Sequence, residues 1–229
     1  MAPTSAISGF DRRFGRYGNR QITVTASPSK SLVVFLHGIG SRGADLMPLA
    51  QAWQPSLPAA AFAAPDGPFP FDGGGGGRQW FSVSAVTEAN RPQRIVAARP
   101  AFDDVLRGTI EQHGLLAQLE RVALVGFSQG AIIALDAIAS GRWPVGAVVA
   151  YSGRLASPQP FTPAGSPRVL AVHGGADPVI PAVNSTETVA ALCKLGLDAR
   201  SHILPGVGHT ITAQGAALGA TFVAEALAG

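Results

Sequence analysis

The chain has 229 residues, 47% of them hydrophobic and 14% charged. That balance excludes a disordered or fibrous chain and suits one globular domain, long enough to take roughly 70–75% of its unfolded surface out of water. The formal charge is only +3; the arginines are scattered and form no run, so no nucleic-acid-binding surface is expected.

Residues 1–20 are polar, Arg-rich and punctuated by glycine. They read as an irregular leader, with residues 21–229 forming a single domain. The leader lacks the charged start and long apolar core of a secretory signal. No stretch approaches the roughly 18 uninterrupted apolar residues of a membrane span. The expectation is therefore a cytoplasmic protein with no stable membrane association.

Ile22–Thr25 could form an edge strand. Short apolar runs follow at Leu32–Leu36, Ala59–Ala64, Val122–Gly126, Ala147–Ala150, Val169–Val172 and Ala199–Leu204. Continuous runs of this length suit strands buried on both faces. Helical spacing lies between them. Ile95, Phe102, Val105, Leu106 and Ile110 mark one helix, and Ile132, Ile133, Leu135 and Ile138 a second. Val183, Val189, Leu192 and Leu195 mark a third, and Leu218, Phe222, Val223 and Leu227 the last. Alternating strands and helices predict an α/β fold with a mostly parallel central sheet and helices on both faces. Gly73–Gly77 reads as a mobile loop between a strand and a helix. Cys193 is the only cysteine. It is expected to be a buried apolar filler, and no Cys/His spacing suggests a metal site.

Two glycine motifs compete to define the chemistry. In HGIGSRG, Gly38, Gly40 and Gly43 spell G-x-G-x-x-G after an apolar run, with Asp66 further on, the outline of a dinucleotide-binding turn. Pro48 argues against that reading. A helix starting at Gly40 would place Pro48 in its interior, at a cost of about 3 kcal/mol. A start near Asp45 places it in the first turn, where proline is tolerated. The glycines then belong to a loop before the helix, and Asp66 is an ordinary loop acid.

The second motif is Gly126-Phe127-Ser128-Gln129-Gly130, which is G-x-S-x-G between a strand and an Ala-rich helix. A serine on so sharp a turn has crowded neighbours two residues away on either side, which calls for glycine at both. The turn lifts the Ser128 hydroxyl above the sheet at a helix N-terminus, where the Gln129 N–H can donate to an oxyanion. The bland alternative is a βα turn with serine as a helix cap.

A serine nucleophile needs a base and an orienting acid. In a parallel sheet both should follow it on loops at strand C-terminal ends, in the order Ser, acid, His. VLAVHGGADPVIP offers Asp177, and SHILPGVGHTITAQG offers His209 just before the last helix. The other histidines fit less well. His113 ends an amphipathic helix, His202 lies within a strand-like run, His173 more plausibly shapes the Asp177 loop, and His37 precedes the serine.

Together, GFSQG, the HGIG turn, the Trp80-Phe81 pair, HGGADPVIP and GVGHTI resemble the phospholipase/carboxylesterase branch of the α/β-hydrolases, which includes the acyl-protein thioesterases. The resemblance spans roughly residues 30–228. It implies an α/β-hydrolase fold, with Ser128 as nucleophile, His209 as base and Asp177 as its orienting acid. The backbone N–H groups of Ile39 and Gln129 would form the oxyanion hole. The Gly73–Gly77 run is longer and richer in glycine than the family's usual loop.

The implied activity is serine carboxylesterase action on short-to-medium acyl esters, without metal or organic cofactor. Acyl thioesters or lysophospholipids are the alternatives with the same triad. An NAD-binding oxidoreductase and a non-catalytic binding protein are rivals of another class. Residues 152–167 are rich in Pro, Ser and Gly, so no cap domain is expected and the site should be open. Phe69, Phe71 and Trp80, with Ile180 and Val207, are the expected substrate contacts. Phe81 could be either wall or core. The physiological acyl group and the oligomeric state are left open.

Overall fold

The computed structural model describes residues 31–228. The leader and the expected strand at Ile22–Thr25 lie outside the described residues. Within them, β1 (Ser31–Leu36) leads through a short 3-10 turn (Gly43–Leu46) into α1 (Met47–Trp53), followed by β2 (Ala60–Ala63). A small hairpin of β3 (Phe69–Pro70) and β4 (Arg78–Gln79) precedes the long α2 (Arg91–Gln112). The chain then alternates through β5 (Val122–Phe127), α3 (Gln129–Ala139), β6 (Ala147–Tyr151) and β7 (Arg168–Gly174). It finishes with α4 (Val183–Lys194), β8 (Ala199–Leu204) and α5 (Ala213–Leu227).

Among the described residues six strands form one sheet in the order β2-β1-β5-β6-β7-β8, and every neighbouring pair is parallel. Alternate residues of each inner strand face opposite sides, and both sides are apolar. On β1, Leu32, Val34 and Leu36 pack toward α2 and α3, where Phe102, Leu106, Ile110 and Ile133 meet them. Val33 and Phe35 pack the other way, onto Trp53 of α1 and Phe222 and Val223 of α5. Double-sided burial is why these strands read as continuous apolar runs.

The two edge strands depart from that expectation. β2 is only half buried along its length, and Arg200, Ser201 and His202 of β8 are exposed. Cys193 is also exposed on α4, a correction to its expected burial; its neighbour Leu192 fills the core position. Gly73–Gly77 joins β3 to β4 rather than a strand to a helix. The β6–β7 connection, residues 152–167, contains no helix or strand, so nothing caps the sheet there.

The order of strands places the site. From β1 the chain first adds β2 on one side, then returns to add β5 on the other. The crevice at the carboxyl ends of β1 and β5 is thus the point where the winding reverses, the usual ligand position in such sheets. The register pairs Leu36 with Gly126, so the HGIG and GFSQG loops leave the sheet side by side.

Candidate active site

Ser128 sits between β5 and α3 with φ 53° and ψ −114°, a conformation that costs a non-glycine residue about 1–3 kcal/mol. The turn is held by packing. A Cβ on Gly130 would lie 2.0 Å from the Leu36 carbonyl oxygen, and one on Gly126 would lie 2.4 Å from the Gly130 and Ala131 backbone. Both glycines are therefore required by close backbone approach. The Ser128 N–H donates to the Tyr151 carbonyl at 2.9 Å, pinning the turn to β6.

The acid and base come from the next two strand ends. The β7 loop is tied to the β8 loop by Gly175 N–H donating to Leu204 O at 2.7 Å and Ala176 N–H to Val207 O at 2.9 Å. These bonds bring Asp177 against His209. His209 Nδ1–H donates to Asp177 Oδ2 at 2.7 Å, and the Ser128 hydroxyl donates to His209 Nε2 at 2.9 Å. Phe127 flanks the imidazole, with ring centroids 4.9 Å apart. Burial pushes the Asp177 carboxyl upward. Hydrogen bonds from His209 and from the Ile180 and Val179 N–H groups outweigh that and hold it below the ordinary carboxylate range. An ionised acid, an oriented imidazole and a hydroxyl thus stand in line.

His173 supports this arrangement from beneath. It is buried, its Nε2–H donates to Ile180 O at 2.8 Å, and the same nitrogen lies 3.2 Å from Asp177 Oδ2. Its Nδ1 accepts from the Ser185 hydroxyl at 2.7 Å, fixing the Asp177 loop to α4. His37 is likewise structural. Its Nδ1–H donates to Gly38 O and its Nε2 accepts from Gly67 N–H, while burial lowers its pKa and favours the neutral ring.

The HGIG loop lies beside the serine. Gly40 N–H donates to Arg78 O on β4 at 2.9 Å. Among the described residues the Ile39 N–H donates to no backbone carbonyl. The Gln129 N–H begins α3 and has no acceptor within the helix. Ile39, Ser128 and Gln129 line one cleft of about 470 Å³. The rival dinucleotide reading meets an obstacle here. Asp66 Oδ1 accepts from Gly43 N–H at 2.8 Å, which sets a carboxylate where a pyrophosphate would bind. Pro48 lies in the first turn of α1. Among the described residues no three His, Cys, Asp or Glu side chains form a group able to hold a metal ion.

The expected substrate contacts fare unevenly. Ile180 lines the cleft. Trp80 does not: it is fully buried, its indole N–H donating to His37 O at 2.9 Å and its ring meeting Phe102 edge-on. It props the HGIG loop from within the core instead of lining the cleft. Phe69 lines a separate groove with Pro70 and Arg94. Phe71 packs over Gly40 and Gly73. Val207 packs toward the α1/α5 core. Phe81 is mostly buried yet reaches the cleft, so it serves as both core and wall.

Several cleft residues were not expected at the site from the sequence: Val83, Val86, Val179, the polar group Glu88, Arg91, Arg154 and Asn184, and Ile132, which was read only as a helix marker. The Gln129 side chain is a further omission. Its Oε1 accepts from Trp80 N–H at 2.8 Å and its Nε2–H donates to Phe81 O at 2.7 Å, locking the cleft wall to the nucleophile turn. Only the Glu88/Arg91 pair had a readable spacing, three residues apart at the start of a helix.

Comparison with known proteins gives a consistent picture. A phospholipase/carboxylesterase family model matches residues 17–226. The esterase YpfH of Escherichia coli K12 is 35% identical over 80% of this chain and 78% of its own. Acyl-protein thioesterase 1 of Debaryomyces hansenii is 26% identical over 90% of this chain and 96% of its own. Among solved structures, esterase PE8 superposes with a TM-score of 0.80 at 38% identity, covering 87% of this chain and 94% of that one. Arabidopsis thaliana SOBER1, at 21% identity and a TM-score of 0.69 over 86% of this chain and 99% of that one, shares the fold. The chain belongs to the phospholipase/carboxylesterase family of α/β-hydrolases.

Proposed function

We infer that this hydrolase is a serine carboxylesterase acting on small acyl esters through Ser128, His209 and Asp177. The observation that carries the reading is the chain of hydrogen bonds Ser128 Oγ–His209 Nε2 at 2.9 Å and His209 Nδ1–Asp177 Oδ2 at 2.7 Å. His209 takes the Ser128 proton as Ser128 attacks the ester carbonyl. The oxyanion lies against the N–H groups of Ile39 and Gln129, and the helix α3 N-terminus favours its charge. His209 then gives its proton to the leaving alcohol, which departs and leaves an acyl-Ser128. Water, deprotonated by His209, attacks the acyl carbon and releases the acid. Asp177 holds the imidazole tautomer and stabilises its cation without taking the proton.

The uncapped sheet and the mainly apolar walls Phe81, Val83, Val86, Ile132 and Ile180 favour a short or medium acyl chain. The acyl-protein thioesterase relatives keep thioesters as the second reading, since the same triad expels a thiolate more readily than an alkoxide. The test is hydrolysis of 4-nitrophenyl esters across acyl lengths by wild type and by Ser128→Ala. A loss of kcat on the order of 10⁴–10⁶-fold is expected for the variant. Activity surviving in Ser128→Ala would sink the mechanism.

A further inference from the structure

In the wall of the cleft that Ser128 also lines, Arg91 and Arg154 converge on one carboxylate oxygen. Arg91 Nη2–H donates to Glu88 Oε1 at 2.9 Å, and Arg154 Nη2–H donates to the same Oε1 at 2.8 Å. Each arginine side chain is 17% exposed, whereas Glu88 is 74% exposed. Two largely desolvated cations therefore share one well-hydrated anion, which leaves a net positive charge. The remaining polar partner is weak: Asn184 Oδ1 lies 3.5 Å from Arg154 Nη1. The Nε–H of each arginine is buried with no acceptor among the described residues, which is unusual for so costly a donor. Arg91 is also the first residue of the 22-residue helix α2, whose first turn contains no acid. The positive end of the helix dipole adds to the same field.

The chemistry of the triad fixes which half of an ester meets this charge. His209 must face the leaving group to protonate it. Ile39, Ser128 and Gln129 line the cleft, and His209 does not. The cleft therefore takes the acyl half. Apart from that polar group its walls are largely apolar: Phe81, Val83, Val86, Ile132, Val179 and Ile180. An acyl chain with methylenes beside the ester and an anion at its far end matches this combination of surfaces.

Resting on the esterase reading above, we propose that Arg91 and Arg154 form an anion-recognising subsite and that the enzyme prefers esters whose acyl group ends in a carboxylate. Glu88 holds the two guanidiniums in register; the incoming carboxylate supplies the second counter-charge. Planar guanidinium forks suit a carboxylate better than a lysine ammonium would.

The test compares 4-nitrophenyl half-esters of glutarate, adipate and pimelate with the 4-nitrophenyl esters of pentanoate, hexanoate and heptanoate. The readout is the ratio of kcat/KM for each matched pair within one preparation, so a partly folded variant does not distort it. In wild type the ratio is expected to favour the half-ester by roughly 10–100-fold at the best length. It should collapse toward one in Arg91→Met and Arg154→Met and recover in part in Arg154→Lys. A wild-type ratio at or below one overturns the subsite, as does a ratio unmoved by either methionine variant. Failure of the esterase reading looks different: no ester of either series is turned over. In that case calorimetric titration of Ser128→Ala with monomethyl adipate and methyl hexanoate still decides. Binding of the half-ester at least about tenfold tighter, lost on adding Arg154→Met, supports the subsite. Equal binding overturns it.

Discussion

Asp136 offers a quantitative test of how the nucleophile helix is held. It lies on α3, every residue of which is buried, and its carboxylate is 0% exposed. Arg99 of α2 binds it through two N–H groups at 3.0 and 2.7 Å, and Arg142 Nη1 through a third at 2.9 Å. Arg142 also pairs with Asp103, which accepts from the Trp143 indole at 2.7 Å. Asp136→Asn keeps the shape and removes the charge, leaving two guanidiniums facing a neutral amide. Breaking a fully buried pair costs about 3–5 kcal/mol. Arg99 and Arg142 retain 22% and 20% exposure, so water recovers part of that, and a loss of about 2–4 kcal/mol is expected. For a chain of this size that corresponds to a fall in melting temperature of roughly 5–15 °C.

The pH dependence has a definite sign. Burial raises the Asp136 pKa, but the pairs with Arg99 and Arg142 outweigh it, and the folded value lies below the ordinary one. Its stabilisation is therefore complete above the unfolded pKa of about 3.9 and is lost as pH falls through the lower folded value. The gap between wild type and Asp136→Asn should be full at pH 7 and shrink below about pH 4. Thermal or urea melts at several pH values measure it. A variant within about 0.5 kcal/mol of wild type at neutral pH, or a gap that does not close in acid, would refute the reasoning.

Two further substitutions probe the site. Asp177→Asn keeps the side-chain volume but presents an amide to His209 and favours the wrong imidazole tautomer; kcat should fall on the order of 10³–10⁴-fold with KM little changed. Steady-state kinetics on a 4-nitrophenyl ester reads both constants. Gln129→Met removes the partners of Trp80 N–H and Phe81 O, leaving two buried backbone groups unpaired at about 1–3 kcal/mol each. Urea denaturation should show a loss of about 2–5 kcal/mol, and a loss under about 0.5 kcal/mol would mean that the clamp contributes little.

Much of the fold was legible because burial on both faces writes itself as unbroken apolar sequence. Leu32–Leu36 and Val122–Gly126 are examples, and their loops stand out because glycine is demanded where Gly130 meets the Leu36 carbonyl. The edges were less faithful. Ala199–Leu204 was over-read as apolar, since only Ala199, Ile203 and Leu204 are; β8 has no outer neighbour among the described residues, and Arg200, Ser201 and His202 stand in solvent. β3 and β4, two residues each, are too short for any periodicity. Trp80 was misplaced because composition cannot say whether an indole faces a groove or a buried carbonyl; here His37 O receives its N–H. The arginine pair was invisible for a different reason. Arg154 and Glu88 are 66 positions apart, and only the parallel sheet brings them together. Cys193 shows that one helical step decides between Leu192 in the core and a thiol in water.

The central claim is that Ser128, activated by His209, becomes acylated. The direct measurement is mass spectrometry of the protein after reaction with a fluorophosphonate. The account predicts one adduct per chain, on the peptide carrying Ser128, and its disappearance in both Ser128→Ala and His209→Asn. An adduct on another residue, or folded wild-type protein that hydrolyses esters while Ser128 stays unlabelled, would contradict it.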